Sequence, residues 1–120
     1  MNDSAGAVAH ARQGIAIITA LGSADPTNAV YSRNLAGFID QLGDAYARSG
    51  ADEGTALPER VRDWSEARNS YEKAHEIFSD LQKRGTLPSA DAAEQPKEFA
   101  RRMSNCEEAL KQLATAHNTR

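Results

Sequence analysis

Apolar side chains return every third or fourth residue along four separate stretches of this 120-residue chain, and none alternates as a half-buried strand would. That period is the helix's own, so the pattern points to an all-α fold. It is strongest where Trp64, Ala67, Tyr71, Ala74, Ile77, Phe78 and Leu81 share one face. Lys83 and Arg84 follow in what would be the last turn, where cations suit the negative end of the helix dipole, and Gly85 stops it. Asp63 with Glu66 offers a capping-box-like start, while Pro58 permits an earlier one. A first segment puts Ala7, Ala11, Gly14, Ile17, Ile18 and Leu21 on one face before Gly22-Ser23 ends it. A second opens on Asp25-Pro26, an N-cap with proline at the first helical position, carries Leu35, Ile39, Leu42 and Tyr46, and closes on Gly50 as a C′ residue. The fourth holds Phe99, Ala100, Met103, Cys106, Leu110 and Leu113. One domain, residues 1–120, is expected, with four antiparallel helices at about 4–21, 26–49, 59–84 and 96–116 and a loop at about 50–58.

Composition narrows the function classes. The hydrophobic fraction of 40% and charged fraction of 26% are those of a globular chain. A net charge of -3 argues against a sequence-independent grip on nucleic acid, which needs clustered positive charge to displace counterions. Lys83-Arg84 and Arg101-Arg102 read as helix-end or solvated residues. The most apolar segment, Ile15 to Leu21, is far short of the roughly 20 residues that span a bilayer. The N-terminal residues lack the basic and apolar regions of a secretion signal, so a cytoplasmic, membrane-free protein is the expectation.

No catalytic apparatus is visible. Cys106 is the only cysteine and lies on an apolar face, where a thiol behaves as a small hydrophobe rather than a nucleophile. His10, His75 and His117 are scattered, and His75-Glu76 has no second histidine at the zinc-binding distance. The acidic residues of the third segment alternate with Arg68, Lys73, Lys83 and Arg84, as on a solvated helix face. A non-enzymatic protein without metal or cofactor is expected.

The segments also resemble one another. Shifted by sixty residues, Ala7, Ala11, Gly14, Ile17, Ile18 and Leu21 fall on Ala67, Tyr71, Ala74, Ile77, Phe78 and Leu81. Shifted by sixty-four, Leu35, Ala36, Ile39, Leu42 and Tyr46 fall on Phe99, Ala100, Met103, Cys106 and Leu110. Such internal similarity is the mark of stacked helix pairs. Leu42-Gly43-x-x-Tyr46 resembles the first-helix signature of the tetratricopeptide repeat, and Ala67-x-x-x-Tyr71-x-x-Ala74 resembles its second. Gly43, Ala67 and Ala74 lack the bulk to keep two helices apart, while Leu42, Tyr46 and Tyr71 fill the groove between them. The chain departs from that pattern in a connection about twelve residues longer, and in Glu107 and Leu110 where the fourth segment should repeat glycine and tyrosine. Asp25-Pro26-Thr27-Asn28 followed by Leu35-Ala36 and Leu42-Gly43-Asp44 is similar to the degenerate repeat tails of some bacterial serine/threonine kinases, although no kinase motif is present.

The resemblance implies a short α-solenoid or bundle that binds a protein or peptide, in kinase-linked signalling if the narrower likeness holds. Its groove positions carry over to Asp40, Asp44 and Arg48, and from the fourth segment to Arg101, Glu108 and Lys111. The family's carboxylate-clamp pattern of Lys and Asn is absent at these positions, and Asp40 and Asp44 instead imply a partner of basic or mixed charge. A structural bundle that only self-associates is the alternative, and a small-molecule role a third. Helical repeats bury their faces against neighbours. The first segment is apolar over a wide arc, through Val8, Ile15, Ile17, Ile18 and Leu21. Either a homodimer covers it, through Ile15 or Ile18, or the chain is a section of a longer solenoid; the isologous dimer is the expected solution. The long connection at 51–62 would also let helices exchange between protomers.

Overall fold

The computed structural model describes residues 4–25, 27–85 and 89–118, with the side chains of 89–96 and 116–118 outside that description. Four helices follow one another: α1 (Ser4–Ser23), α2 (Ala29–Ala51), α3 (Leu57–Lys83) and α4 (Ser89–Asn118). No strand occurs among the described residues, and none of the helices is long and apolar enough to cross a membrane. Each helix packs on the next in sequence. Across the α2–α3 seam Ser49 meets Asp63 and Gly43 meets Tyr71, so residue numbers rise on one helix as they fall on the other. The same reversal relates Gly22 and Tyr31 to Gly14 and Phe38 between α1 and α2.

Local chemistry shifts several helix ends from their expected places. The N-cap of α2 is Asn28, whose side-chain oxygen accepts from the Val30 N–H at 2.9 Å. Asp25 braces that cap, accepting from the Thr27 hydroxyl and the Asn28 amide at 3.3 Å each, while Pro26 lies outside the described residues. Gly50 is not a terminator. It lies within α2, which ends at Ala51 on an Asp52 cap, and it leaves the space that the indole of Trp64 fills. α3 begins at Leu57 with Pro58 in its first turn, ahead of Asp63 and Glu66. The connection is therefore residues 52–56, held by bonds from the Gly54 and Thr55 N–H groups to Asp52, and the long 51–62 linker needed for helix exchange is absent. α4 starts at Ser89, seven residues before Pro96. At the end of α3 the expected signal operates: Gly85 takes φ 72° and donates to the Gln82 carbonyl.

The core lies where α2, α3 and α4 meet. Ile39, Ala67, Tyr71, Ala74, Phe99 and Cys106 form one buried cluster, with Tyr46, Trp64, Ile77, Phe78 and Met103 packed against it. Leu42 and Gly43 are buried as well. Ala67 and Ala74 are fully enclosed, so α3 presents no bulk at those two points and its neighbours close onto its backbone. Phe78 stacks on Phe99 with ring centres 5.6 Å apart. Glycine–aromatic notches fix the other seams: Phe38 occupies the space beside Gly14, Tyr71 that beside Gly43, and Trp64 that beside Gly50. Such close approach is possible because a glycine carries no Cβ.

The first and third segments do not share a fate, although their patterns superpose. Leu81 is fully buried, whereas its counterpart Leu21 is 50% exposed and Ile17 is 56% exposed. α3 has a helix on either side, while α1 packs on α2. Ile15 and Ile18 are half-buried: Ile15 packs against the core, and Ile18 faces a small cleft with Tyr31 and Leu35. The outward apolar residues of α1 are thus Ile17 and Leu21 rather than Ile15 and Ile18.

Candidate partner-binding cleft

Gln41, Asp44 and Arg48 recur at spacings of three and four on α2, and so share one face. That face forms the floor of a cleft of about 470 Å³, walled by Ala7 and His10 of α1, Ala47 of α2 and Tyr71 of α3. The notches set these walls. The Gly14–Phe38 contact fixes the register of α1, and the His10 ring meets Phe38 edge-on at 6.4 Å. Gly43 admits the Tyr71 ring across α2, since an added Cβ would lie 2.8 Å from it. The phenol then donates to Asp44 Oδ1 at 2.5 Å. Burial, reinforced by the hydrogen bond to Asp44, raises the Tyr71 phenol far above its ordinary range, which keeps it a donor.

Asp40 sits beside this face but is already engaged. Arg102 of α4 reaches across to it and pairs with its carboxylate. The same guanidinium takes Glu98 at 3.1 Å and lies 5.6 Å from the centres of both the Tyr71 and Phe99 rings. Burial pushes the Asp40 carboxyl above the usual carboxylate range, with the Arg102 hydrogen bond and charge pulling against it. At the far side Arg12 donates to the Tyr46 hydroxyl and lies 5.8 Å from the centre of that ring.

Of the residues expected to bind a partner, Asp44 and Arg48 line the cleft. Asp40 is half-buried in its ion pair, which corrects the reading of it as an open acid for a basic partner. Arg101, Glu108 and Lys111 lie exposed on α4 and line no part of the cleft. Arg101 pairs with Glu98 at 2.5 Å, and Glu108 accepts from Gln112 at 3.4 Å. The residue of α4 that reaches the α2 face is Arg102, one place from the expected Arg101; a rotation of about 100° per residue separates them. His10, Gln41 and the Tyr71 hydroxyl carried no signal of their own in the sequence, since the cleft depends on how three helices dock.

Cys106 is buried, and burial pushes its thiol up to about 11, so it has little thiolate character. Among the described residues no three His, Cys, Asp or Glu side chains gather as metal ligands, and the His117 side chain lies outside them. No protein-family model matches the chain, and no curated protein or solved structure matches it either.

Proposed function

We propose that the protein is a non-catalytic interaction module that binds a protein or peptide segment along the outer face of α2. The observation that carries this reading is the cleft itself: open, walled by small and polar side chains, with Asp44 and Arg48 along its floor. Its volume falls within the range of pockets that enclose small ligands or a few side chains, roughly 300–1,000 Å³. Charges of both signs suit a partner of basic or mixed charge. The tetratricopeptide-like character and the link to kinase signalling rest on the sequence resemblance alone, and form part of the proposal. Selection of a random phage-displayed peptide library on the immobilised protein tests it. Peptides should enrich, compete with soluble protein, and lose binding to Ala47→Arg, which fills the cleft. Failure to enrich any competing peptide sinks the reading.

One observation favours a second activity, homodimer formation through α1. Ile17 and Leu21 lie one turn apart and are half or more exposed, with Val30 at the start of α2 58% exposed. α1 has no acidic residue in its first turn and no basic residue in its last. An apolar face with few charges is costly to leave in water. Light scattering during size exclusion should give a dimer mass for the wild type and a monomer for Ile17→Glu; a wild-type monomer at high micromolar concentration would rule it out.

A further inference from the structure

We propose that the cleft seats one lysine or arginine side chain of an extended peptide, with Asp44 as its counter-ion and Gly37 leaving room for the peptide's main chain. The proposal rests on the peptide-binding reading above and names the chemistry recognised there. α2 carries two acids on this side, Asp40 and Asp44, and they differ in what they can do. Asp40 is half-buried and its charge is met by the Arg102 guanidinium. Asp44 is exposed and bonded by Tyr71 through Oδ1, which leaves Oδ2 to accept from a ligand. An ionised carboxylate offers about four acceptor sites, so one phenol does not exhaust it. Because Tyr71 is held by its own packing in the core, the carboxylate is oriented before any ligand arrives. Ala7 and Ala47 present only methyl groups to the cleft, which suits the aliphatic stem of a long cationic side chain.

Gly37 supplies the second observation. It lies in line with Gln41, Asp44 and Arg48 on the same helical face, at spacings of four, seven and eleven residues. A glycine inside a helix weakens it, and the close ring contacts of Gly14, Gly43 and Gly50 give a packing reason for each of those. Gly37 has no such reason: a Cβ added there would meet nothing within 4 Å. An incoming main chain lying close on α2 accounts for it.

Peptides enriched on the wild-type protein are synthesised with a fluorophore, each with its Lys or Arg residues intact or replaced singly by norleucine. Anisotropy titrations then follow wild type, Asp44→Asn, Gly37→Ala and an Asp80→Asn control, with urea melts of each. The seat predicts a loss of tenfold or more at one norleucine position. Asp44→Asn should reproduce that loss without adding to it, while Asp80→Asn changes nothing. Gly37→Ala should raise the urea midpoint and weaken the peptide by about the same factor. Binding indifferent to norleucine, or enriched peptides without Lys or Arg, overturns the cation seat and leaves peptide binding standing. Unchanged affinity in Gly37→Ala overturns the close approach of the main chain. If no peptide enriches, the reading beneath both is gone.

Discussion

The indole of Trp64 fills the space that a side chain on Gly50 would need: an added Cβ would lie 2.7 Å from the indole Cδ1. Arg60 seals the same spot, donating from Nε to the Gly50 carbonyl at 2.8 Å, and Ser49 donates to the buried Asp63 at 2.5 Å. The C-terminal turns of α2 are thereby held by α3 through ring, cation and hydroxyl together.

Gly50→Ala should destabilise the protein although alanine is the better helix former. A methyl forced against the indole costs about 1–3 kcal/mol, against a helix-propensity gain of about 1 kcal/mol. Gly37→Ala meets no obstacle and should stabilise by about 0.5–1 kcal/mol. Urea unfolding read through the single tryptophan checks both, and displacement of Trp64 in Gly50→Ala should also move its native emission to longer wavelength.

Ala67 and Ala74 are fully buried between helices. Replacing either with leucine should overpack the core by about 1–3 kcal/mol. Thermal unfolding of the two variants tests this; a melting temperature equal to wild type for Ala74→Leu would mean that α3 and α4 can separate without cost.

Cys106 should be silent toward thiol reagents in the native protein. Its pKa of about 11 leaves only about one part in a thousand as thiolate at pH 8, and the sulfur is buried besides. Labelling should become complete in denaturing urea. Rapid native labelling at pH 8 would show that α4 leaves its place often.

Tyr71 makes the fold sensitive to alkali. Its phenol holds its proton more tightly when folded than the ordinary value of about 10, so its contribution is full below that pH. As pH rises past about 10 the unfolded chain ionises first, and stability is lost until the folded phenol ionises in turn. Tyr71→Phe should flatten this alkaline limb in urea midpoints measured between pH 8 and 11. It should also cost about 0.5–1.5 kcal/mol at neutral pH through the lost bond to Asp44.

The architecture was largely written in the spacing of apolar residues. Phe99, Cys106 and Leu81, read on apolar faces, are the largest fully enclosed side chains. Boundaries were less legible, because glycine has two uses. Gly85 ends a helix by adopting positive φ, whereas Gly50 stays within the last turn of α2 to admit a ring, and only the partner helix distinguishes them. The cleft was legible in part. Asp44 and Arg48, named through the tetratricopeptide resemblance, line it, but the capture of Asp40 depends on Arg102, 62 residues away, and on how α4 lies across α3.

Arg102 has a consequence for how the molecule comes apart. A row of helices that touch only in sequence is a one-dimensional chain, and such chains fray from their ends as independent units. By reaching over α3 to Asp40, Arg102 makes the release of α4 an event that α2 registers, exposing a half-buried carboxylate beside Tyr71. Three helices are then stitched into one cooperative block, and α1, held mainly on α2 through Arg12 and the Gly14 notch, is left as the segment free to open first.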